Sequence, residues 1–452
     1  MNPFFTGITK ASCNSTCRYI LVAVLLLSLI VISSVQRENF PGLLWAFAAA
    51  FAAYFVSLRA RDGYSWKEIW MAALIFRLVF FFYTPQLSDD YLRFFWDGRL
   101  VALGENPYEK TPGSFSADDE IWNYHGADLT AMNSTQYYSV YPPMCQWIWA
   151  ACDVLAGHRL SSAIMWLRIF TLVFEMATLF LLGSVLKRLG KPAQASIIYA
   201  WNPLVIVELT GNLHPECVMI FFLACVLYFL QRKRFLLAAA VLGLAISTKL
   251  VPLVLTPMLS RIVGWKKSLA AGAVVLVIVV IAFLPFLSLN LLSNTASSLD
   301  LYFQHFEFNA GLYYLVREVG YLIYGYNTIH WLGPILSLLA MLLILGVSLK
   351  WVRREQEVYP LLIWPFAIYL LSSTTVHPWY ITTIVFFSVF TTFRFGIVWS
   401  FVVVLSYSHY MHLPVRENYL LIAMEYFLVF MALVYDVRKL KFGHRMRDAT
   451  HA

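Results

Sequence analysis

Long apolar runs separated by short polar segments dominate the chain. Runs of about 15 to 25 mostly apolar residues recur along its 452 residues. A helix needs about 20 such residues to cross the hydrocarbon core of a bilayer. A transmembrane β-barrel would instead contain shorter segments in which polar and apolar positions alternate. The pattern therefore predicts an all-α polytopic membrane protein, folded as a single integral-membrane domain over residues 1–452.

The runs accommodate fourteen predicted spanning helices, which places both termini on the same side of the membrane. Residues 235–260 allow two interpretations: a broken pair of short helices with its break at Ser247-Thr248-Lys249, or one long helix. One long helix would reverse the orientation of everything after it, so the expected number of spans is 12–14. The fourteen predicted spans are residues 19–35, 41–58, 68–84, 161–186, 194–210, 217–230, 235–247, 249–260, 268–288, 331–349, 358–374, 378–393, 395–411 and 418–436.

The distribution of basic residues favours the broken pair. Of the 33 Lys and Arg, the fourteen-helix arrangement puts 23 on the side that holds both termini. Cytoplasmic loops of membrane proteins carry such an excess. If residues 235–260 formed one long helix, Arg261, Lys266, Lys267 and the basic tail at residues 437–452 would lie on the outer side of the membrane. We therefore expect both termini and this tail to be cytoplasmic.

Composition agrees with a membrane protein. Hydrophobic residues make up 60% of the chain and charged residues 13%, and the mean hydropathy is +0.68. Soluble domains have about 45–50% apolar and about 25% charged residues. The net charge of +8 comes from short clusters between apolar runs, so it does not indicate binding to nucleic acid.

Two segments on the predicted outer side are long enough to form a site. They are residues 85–160 and residues 289–330. Neither has the size of an ordinary soluble domain. Both can carry short helices that lie in the membrane interface, and we expect the first to be the catalytic loop.

The densest polar cluster follows the third predicted helix, at Ser88-Asp89-Asp90 and the residues up to Arg99. Two adjacent carboxylates raise each other's pKa, and an apolar surround raises it further. Such a carboxylate suits a general base near neutral pH. The alternative is a helix cap, with Ser88 or Asp89 capping a helix that starts at Tyr91.

Three further polar clusters lie at helix ends on the same side. His214 and Glu216 form a tight loop and could be half of a metal site, but two ligands are too few to assign one. Lys249, at the predicted break, could hold a lipid phosphate, or its side chain could reach the interface without any ligand. His377 could bind phosphate or pass protons, although the neighbouring Trp379 and Tyr380 are equally typical of an interface anchor.

The order of short motifs resembles the GT-C superfamily of integral-membrane glycosyltransferases, in particular the bacterial mannosyltransferases that use polyprenyl-phosphate-mannose. The resemblance covers residues 85–385, and no nucleotide-binding glycine pattern accompanies it. The motifs are Ser88-Asp89-Asp90 with Gly98-Arg99, Gly104-Glu105-Asn106-Pro107-Tyr108, Tyr141-Pro142-Pro143, Trp201-Asn202-Pro203-Leu204, His214-Pro215-Glu216, Thr248-Lys249-Leu250-Val251-Pro252, Phe308-Asn309-Ala310-Gly311 and His377-Pro378-Trp379-Tyr380.

The resemblance implies a GT-C-like helical bundle and an inverting hexosyl transfer. It assigns the general base to Asp90 rather than Asp89, and the binding of the donor phosphate to Lys249, His377 and Arg93. No cofactor is required, a divalent metal is optional, and no residue is assigned as a metal ligand. The residues expected to contact substrate are Arg99, Asn106, Tyr108, Tyr141, His214, Glu216, Trp379 and Tyr380.

The implied partners are a polyprenyl-phosphate sugar, a lipid or glycan acceptor and membrane lipids. The implied location is the bacterial inner membrane, with the site facing outward. Two departures leave the acceptor open: two helices precede the usual first helix, and adjacent Asp89 and Asp90 stand where other branches have one Asp or Asp-x-Asp.

Two other functions fit a polytopic chain. A transporter or lipid-linked-glycan flippase would place charges along a path through the membrane midplane, whereas here few charges lie inside spans. A glycan polymerase or ligase would need a basic outer loop to hold a pyrophosphate. The predicted outer surface instead carries eight basic and sixteen acidic residues.

Overall fold

The computed structural model describes residues 14–116, 119, 121, 132–304, 306–351, 358–412 and 415–450. Within these residues the fold is helical, and its only β pairing is an isolated bridge between Phe308 and Thr375. The predicted loop 85–160 lies partly outside the described residues.

The α-helices are α1 (Ser15–Ser34), α2 (Phe40–Arg59), α3 (Trp66–Leu78), α4 (Asp90–Ala102), α5 (Pro143–Ala156), α6 (Leu160–Arg188), α7 (Ile197–Ala200), α8 (Pro203–Val205), α9 (Glu216–Leu230), α10 (Phe235–Ile246), α11 (Thr256–Val263), α12 (Trp265–Phe283), α13 (Leu291–Gln304), α14 (Leu312–Tyr324), α15 (Ile329–Trp351), α16 (Ile363–Ser372), α17 (Ile381–Ser388), α18 (Phe395–Val402) and α19 (Tyr419–Thr450).

Six helical segments in the described residues are long and apolar enough to cross a membrane, or seven if one bent pair is a single span. The all-α membrane class is confirmed, whereas the count of fourteen stays a prediction. Several predicted spans are divided into shorter pieces; residues 193–211, for example, form two short α-helices between a 3-10 turn and a π-helix. The six segments are Ser15–Ser34, Phe40–Arg59, Leu160–Arg188, Trp265–Phe286, Ile329–Lys350 and Tyr419–Lys439.

The chain breaks between α10 and α11, where the sequence predicts a broken pair. Helix α10 ends at Ile246, and the ammonium of Lys267, at the start of α12, lies 5.1 Å from the ring centroid of Phe235, at the start of α10. Residues 235–263 therefore run toward α5 and return, which excludes one long helix. The tip is fixed to α5, because the backbone N–H of Met144 donates to the carbonyl of Ser247 at 2.9 Å.

A second break separates the π-helix Ile206–Gly211 from α9. The segments Pro203–Gly211 and Glu216–Leu230 meet at 116°. Arg168 of α6 donates to the carbonyls of Thr210 and Gly211, which the break has left without helical partners. Backbone groups inside a membrane must be satisfied within the protein. This arginine therefore stabilises the bend that presents His214 and Glu216.

The two ends of the helical bundle differ in charge. Turn 35–39, between α1 and α2, lies at the same end as Asp89, and the other end of α2 leads to Arg61. Near Arg61, the ammonium of Lys191 donates to the carbonyl of Phe390 at 2.5 Å. Burial and the nearby positive charge of Arg394 lower the pKa of Arg61. The basic tail predicted from residue 437 continues α19 as far as Thr450. One end thus gathers basic loops, and the other gathers the polar clusters.

Candidate active site

The polar clusters that the sequence singles out converge at one end of the bundle. Asp90 at the start of α4 lies within electrostatic range of His214, Glu216 and Lys249, and His377 lies within range of His214 and Lys249. Two of the contributing segments are the breaks described above. Four segments that are far apart in the chain therefore build a single polar site.

The carboxyl group of Asp90 accepts one hydrogen bond and has a raised pKa. Its side chain is half-buried, and Tyr141 donates a hydroxyl to Oδ2 at 3.4 Å. Burial raises the pKa of Asp90, nearby His214 and Lys249 oppose that rise, and the negative charges of Asp89 and Glu216 add to it. Among the described residues, no Lys or Arg lies within ion-pair distance of Asp90. Its carboxylate therefore remains open to a hydroxyl group from a substrate.

Asp89 is held by an arginine that the sequence analysis did not select. Arg37, in the turn between α1 and α2, donates from Nη2 to Oδ2 of Asp89 at 2.5 Å. Its guanidinium carbon also lies 4.6 Å from the centroid of the Tyr410 ring. The helix-cap interpretation applies only to Ser88, whose hydroxyl accepts from the N–H of Asp90 at 3.3 Å, because Asp89 makes no capping bond. The two adjacent carboxylates thus have different partners.

Lys249 projects from the break into the site. Its ammonium pairs with Oε1 of Glu216 and lies 4.5 Å from the centroid of the Tyr380 ring. Glu216 is only 1% exposed, and its Oε2 has no hydrogen-bond partner in the described part of the chain. No group of three or more His, Cys, Asp or Glu among the described residues could hold a metal ion. The cation that pairs with Glu216 in this loop is therefore the Lys249 ammonium.

Four rings stack in a column beside Lys249. The centroid distances are 4.6 Å from Phe308 to His377, 4.3 Å from His377 to Trp379 and 3.8 Å from Trp379 to His214. Burial lowers the pKa of His377 well below its usual value, and nearby His214, Lys249 and His409 add to the effect. Nδ1 of His377 is buried and has no hydrogen-bond partner within the described residues. A neutral imidazole with a free nitrogen therefore lies beside the lysine.

A buried glutamate, also not selected from the sequence, lies beside His214. Glu208 accepts hydroxyl and amide hydrogens from Tyr407 and Asn212, and its Oε2 lies 3.3 Å from Nε2 of His214. The sequence does offer a signal, because Glu208 is an acid inside a predicted span, where ionisable side chains are costly.

Other predicted site residues brace the loops around the site. Arg93 donates to Asp97 at 2.7 Å and to the carbonyls of Ser134 and Tyr137, instead of joining Lys249. Arg99 is buried on the same helix as Arg93.

The motif at residues 106–108 connects the two outer segments. Asn294 of the second segment donates to the carbonyl of Tyr108, Asn106 donates to the carbonyl of Phe286, and the hydroxyl of Tyr108 donates to the carbonyl of Tyr141. These contacts give both residues a role in shaping the site.

Comparison with known proteins identifies the family. Residues 21–265 match the family described as alpha-(1->6)-mannopyranosyltransferase, N-terminal domain. The chain is also 22% identical, over 191 residues, to alpha-(1->6)-mannopyranosyltransferase A of Corynebacterium glutamicum. That alignment covers 41% of this chain and 36% of the relative, so it spans about a third of the relative's length. Since the family match spans more than half of the sequence and includes the segments that carry Asp90, His214 and Lys249, the chain belongs to the alpha-(1->6)-mannopyranosyltransferase family.

Proposed function

We propose that this membrane mannosyltransferase moves a mannosyl group from a polyprenyl-phosphate donor to a hydroxyl group of a glycan or lipid acceptor, with inversion and with Asp90 as the base. The observation that carries the proposal is the position of Asp90. A carboxylate without an ion-pair partner among the described residues lies in the same polar site as Lys249 and a neutral His377. Asp90 can accept a proton from the acceptor, and Lys249 and His377 can bind the leaving phosphate in the same site.

The reaction is a single displacement. Asp90 accepts the proton of the acceptor hydroxyl, and the acceptor oxygen forms a bond to the anomeric carbon. The bond from that carbon to the phosphate oxygen breaks, and the lipid phosphate leaves with the electron pair. One displacement inverts the anomeric centre, so a β-linked donor gives an α-mannoside. An α product agrees with the family's description.

The leaving phosphate contacts Lys249 and His377. Lys249 supplies a positive charge, and its pairing with Glu216 keeps that charge stable while the site is empty. His377 is uncharged near neutral pH and donates one N–H to a phosphate oxygen. Preorganised donors of this kind stabilise charge that develops in a transition state. Both groups stabilise the leaving phosphate by donating hydrogen bonds to it, so the proposal includes no cofactor and a divalent metal stays optional.

The remaining site residues position the sugar and the loops. Trp379 stacks between His377 and His214 and holds both imidazoles in place, while the ring of Tyr380 lies beside the Lys249 ammonium. Tyr141 orients Asp90, whereas Arg93 acts by bracing α4 and not as a phosphate ligand. Because basic loops mark the cytoplasmic side, the site lies at the outer face, which in a bacterium is the outer face of the inner membrane.

The proposal is tested by supplying membranes that contain the protein with β-linked polyprenyl-phosphate-[14C]mannose and a mixed glycan and lipid extract. We expect label to leave the donor and to appear in an α-linked mannoside, identified by its sensitivity to α-mannosidase. A β-linked product would rule out the single displacement. No loss of label from this donor or from other polyprenyl-phosphate sugars would rule out the donor class.

The ion pair between Arg37 and Asp89 predicts a change in the pH dependence of transfer. Activity is lost as the pH falls through the pKa of Asp90, because a base must be deprotonated. Arg37→Gln leaves the charge of Asp89 uncompensated, which raises the pKa of Asp90 and moves the acidic limb upward by about one pH unit. The measurement is kcat/KM from pH 5 to pH 9.

Two control variants separate this electrostatic effect from damage to the fold. Asp89→Asn should move the acidic limb downward, and the double variant Arg37→Gln with Asp89→Asn should bring it back near its original position. An unchanged limb in the Arg37→Gln protein would contradict the role given to this ion pair.

A further inference from the structure

An uncharged groove lies beside the site, between the end of α1, the α1–α2 turn and the segment that precedes Asp89. Its volume is about 470 Å³, which lies within the range of about 300–1,000 Å³ typical of small-molecule sites. Neither the family's motifs nor the proposed catalytic groups include its walls. They are formed by Ser33, Ser34, Val35, Gln36, Asn39, Tyr83 and Gln86.

The walls carry hydroxyls, amides and one aromatic ring, but no charge. Gln36 is exposed, and Gln86 uses its amide N–H₂ on the carbonyl of Thr84, which leaves its side-chain carbonyl to accept from a ligand. Tyr83 is 36% exposed and presents part of its ring. Neutral donors and acceptors around an aromatic face suit a polyhydroxylated, uncharged ligand. A phosphate would require a cation in the walls, and the residues that form them include none.

The groove leads to the catalytic carboxylates. Gln36 directly precedes Arg37, and Gln86 stands three residues before Asp89. The ion pair between Arg37 and Asp89 therefore connects the two walls at the end nearest Asp90. A chain lying in the groove would present its terminal residue to the base, while the donor phosphate binds Lys249.

We propose that this groove is the acceptor subsite and that it binds the neutral mannoside units behind the hydroxyl that is to be glycosylated. The inference rests on the proposed function, because it names the second substrate of the same site. The α1–α2 hairpin thereby supplies one wall of the acceptor site. The glycan can be free or anchored to a lipid, since both present the same sugar surface to the groove.

The test compares a short acceptor with a long one. Methyl α-mannoside reaches only the catalytic carboxylates, whereas α-(1→6)-linked mannotetraose also occupies the groove. We expect the double variant Tyr83→Ala with Gln86→Ala to raise the KM for mannotetraose on the order of tenfold, as expected from the loss of one ring contact and one hydrogen bond. The KM for methyl α-mannoside and for the donor should not change. Tyr83→Phe keeps the ring and should restore most of the affinity when Gln86 is intact.

The control is Tyr19→Ala, which removes a tyrosine that is 64% exposed on the same helix α1 but lies near its opposite end. It should leave the KM of both acceptors unchanged. An unaltered preference for mannotetraose in the Tyr83 and Gln86 variant would overturn the subsite. Loss of label from the donor without transfer to either mannoside would overturn the assigned ligand class. No loss of label at all would instead contradict the proposed function.

A lipid-anchored mannotetraose distinguishes the two sources of the glycan. If the lipid contributes, its KM in the wild-type protein falls below that of the free tetraose, while the variant raises both values by the same factor. If the variant raised the two KM values by different factors, the glycan would not bind the groove through its sugar units alone.

Discussion

Replacement of Asp90 by asparagine is expected to lower kcat by about 10²–10⁴-fold, the range that general base catalysis supplies. The amide keeps the shape of the side chain and can accept the Tyr141 hydroxyl, but it cannot take a proton from the acceptor. The donor contacts Lys249 and His377 in the proposal, so its KM should change by less than about threefold, a factor worth about 0.7 kcal/mol. The measurement is the initial rate of label transfer at saturating acceptor, with the donor varied.

Asp89→Asn is the matched control, because it changes the adjacent carboxylate in the same way. Asp89 is bonded to Arg37 and is not expected to accept the proton, so this variant should keep at least about a tenth of the activity near neutral pH. If Asp89→Asn were the inactive protein and Asp90→Asn remained active, the two roles would be reversed.

The sequence predicted the convergence of the site but not all of its partners. Asp90, His214 and Lys249 could be placed together because each follows an apolar run whose direction across the membrane can be inferred. Arg37 could not be assigned, since its bond to Asp89 joins residues 52 positions apart. The direction of such a side chain depends on how the α1–α2 hairpin packs, and hydrophobic periodicity does not report packing between helices.

The partner of Arg93, unlike that of Arg37, could have been predicted from the sequence. It lies close to Asp90 in sequence, which made it a candidate phosphate ligand, but Asp97 follows it by four residues. Residues at this spacing lie on the same face of a helix and pair readily. The pairing with Asp97 could therefore have been predicted from the sequence. The π-helix that carries Glu208 could not, because no residue pattern specifies that widening of the helix.

Removal of the Lys249 charge is the second change with a large expected effect. Lys249→Met should lower kcat/KM by about 10²–10³-fold, because the leaving phosphate loses a preorganised donor. The same variant leaves Glu216 as a buried carboxylate without its cation, so part of any loss could come from repulsion between Glu216 and the phosphate.

The double variant Lys249→Met with Glu216→Gln removes both charges and isolates the contribution of the lysine. If Lys249 binds the phosphate, the double variant stays at least about 10²-fold below wild type, and inhibition by polyprenyl phosphate weakens with it. Lys249→Arg, which retains a cation, should recover part of the activity. If the double variant instead returned to wild-type activity, Lys249 would serve only to neutralise Glu216, and the phosphate would have to be held by His377 and the rings around it.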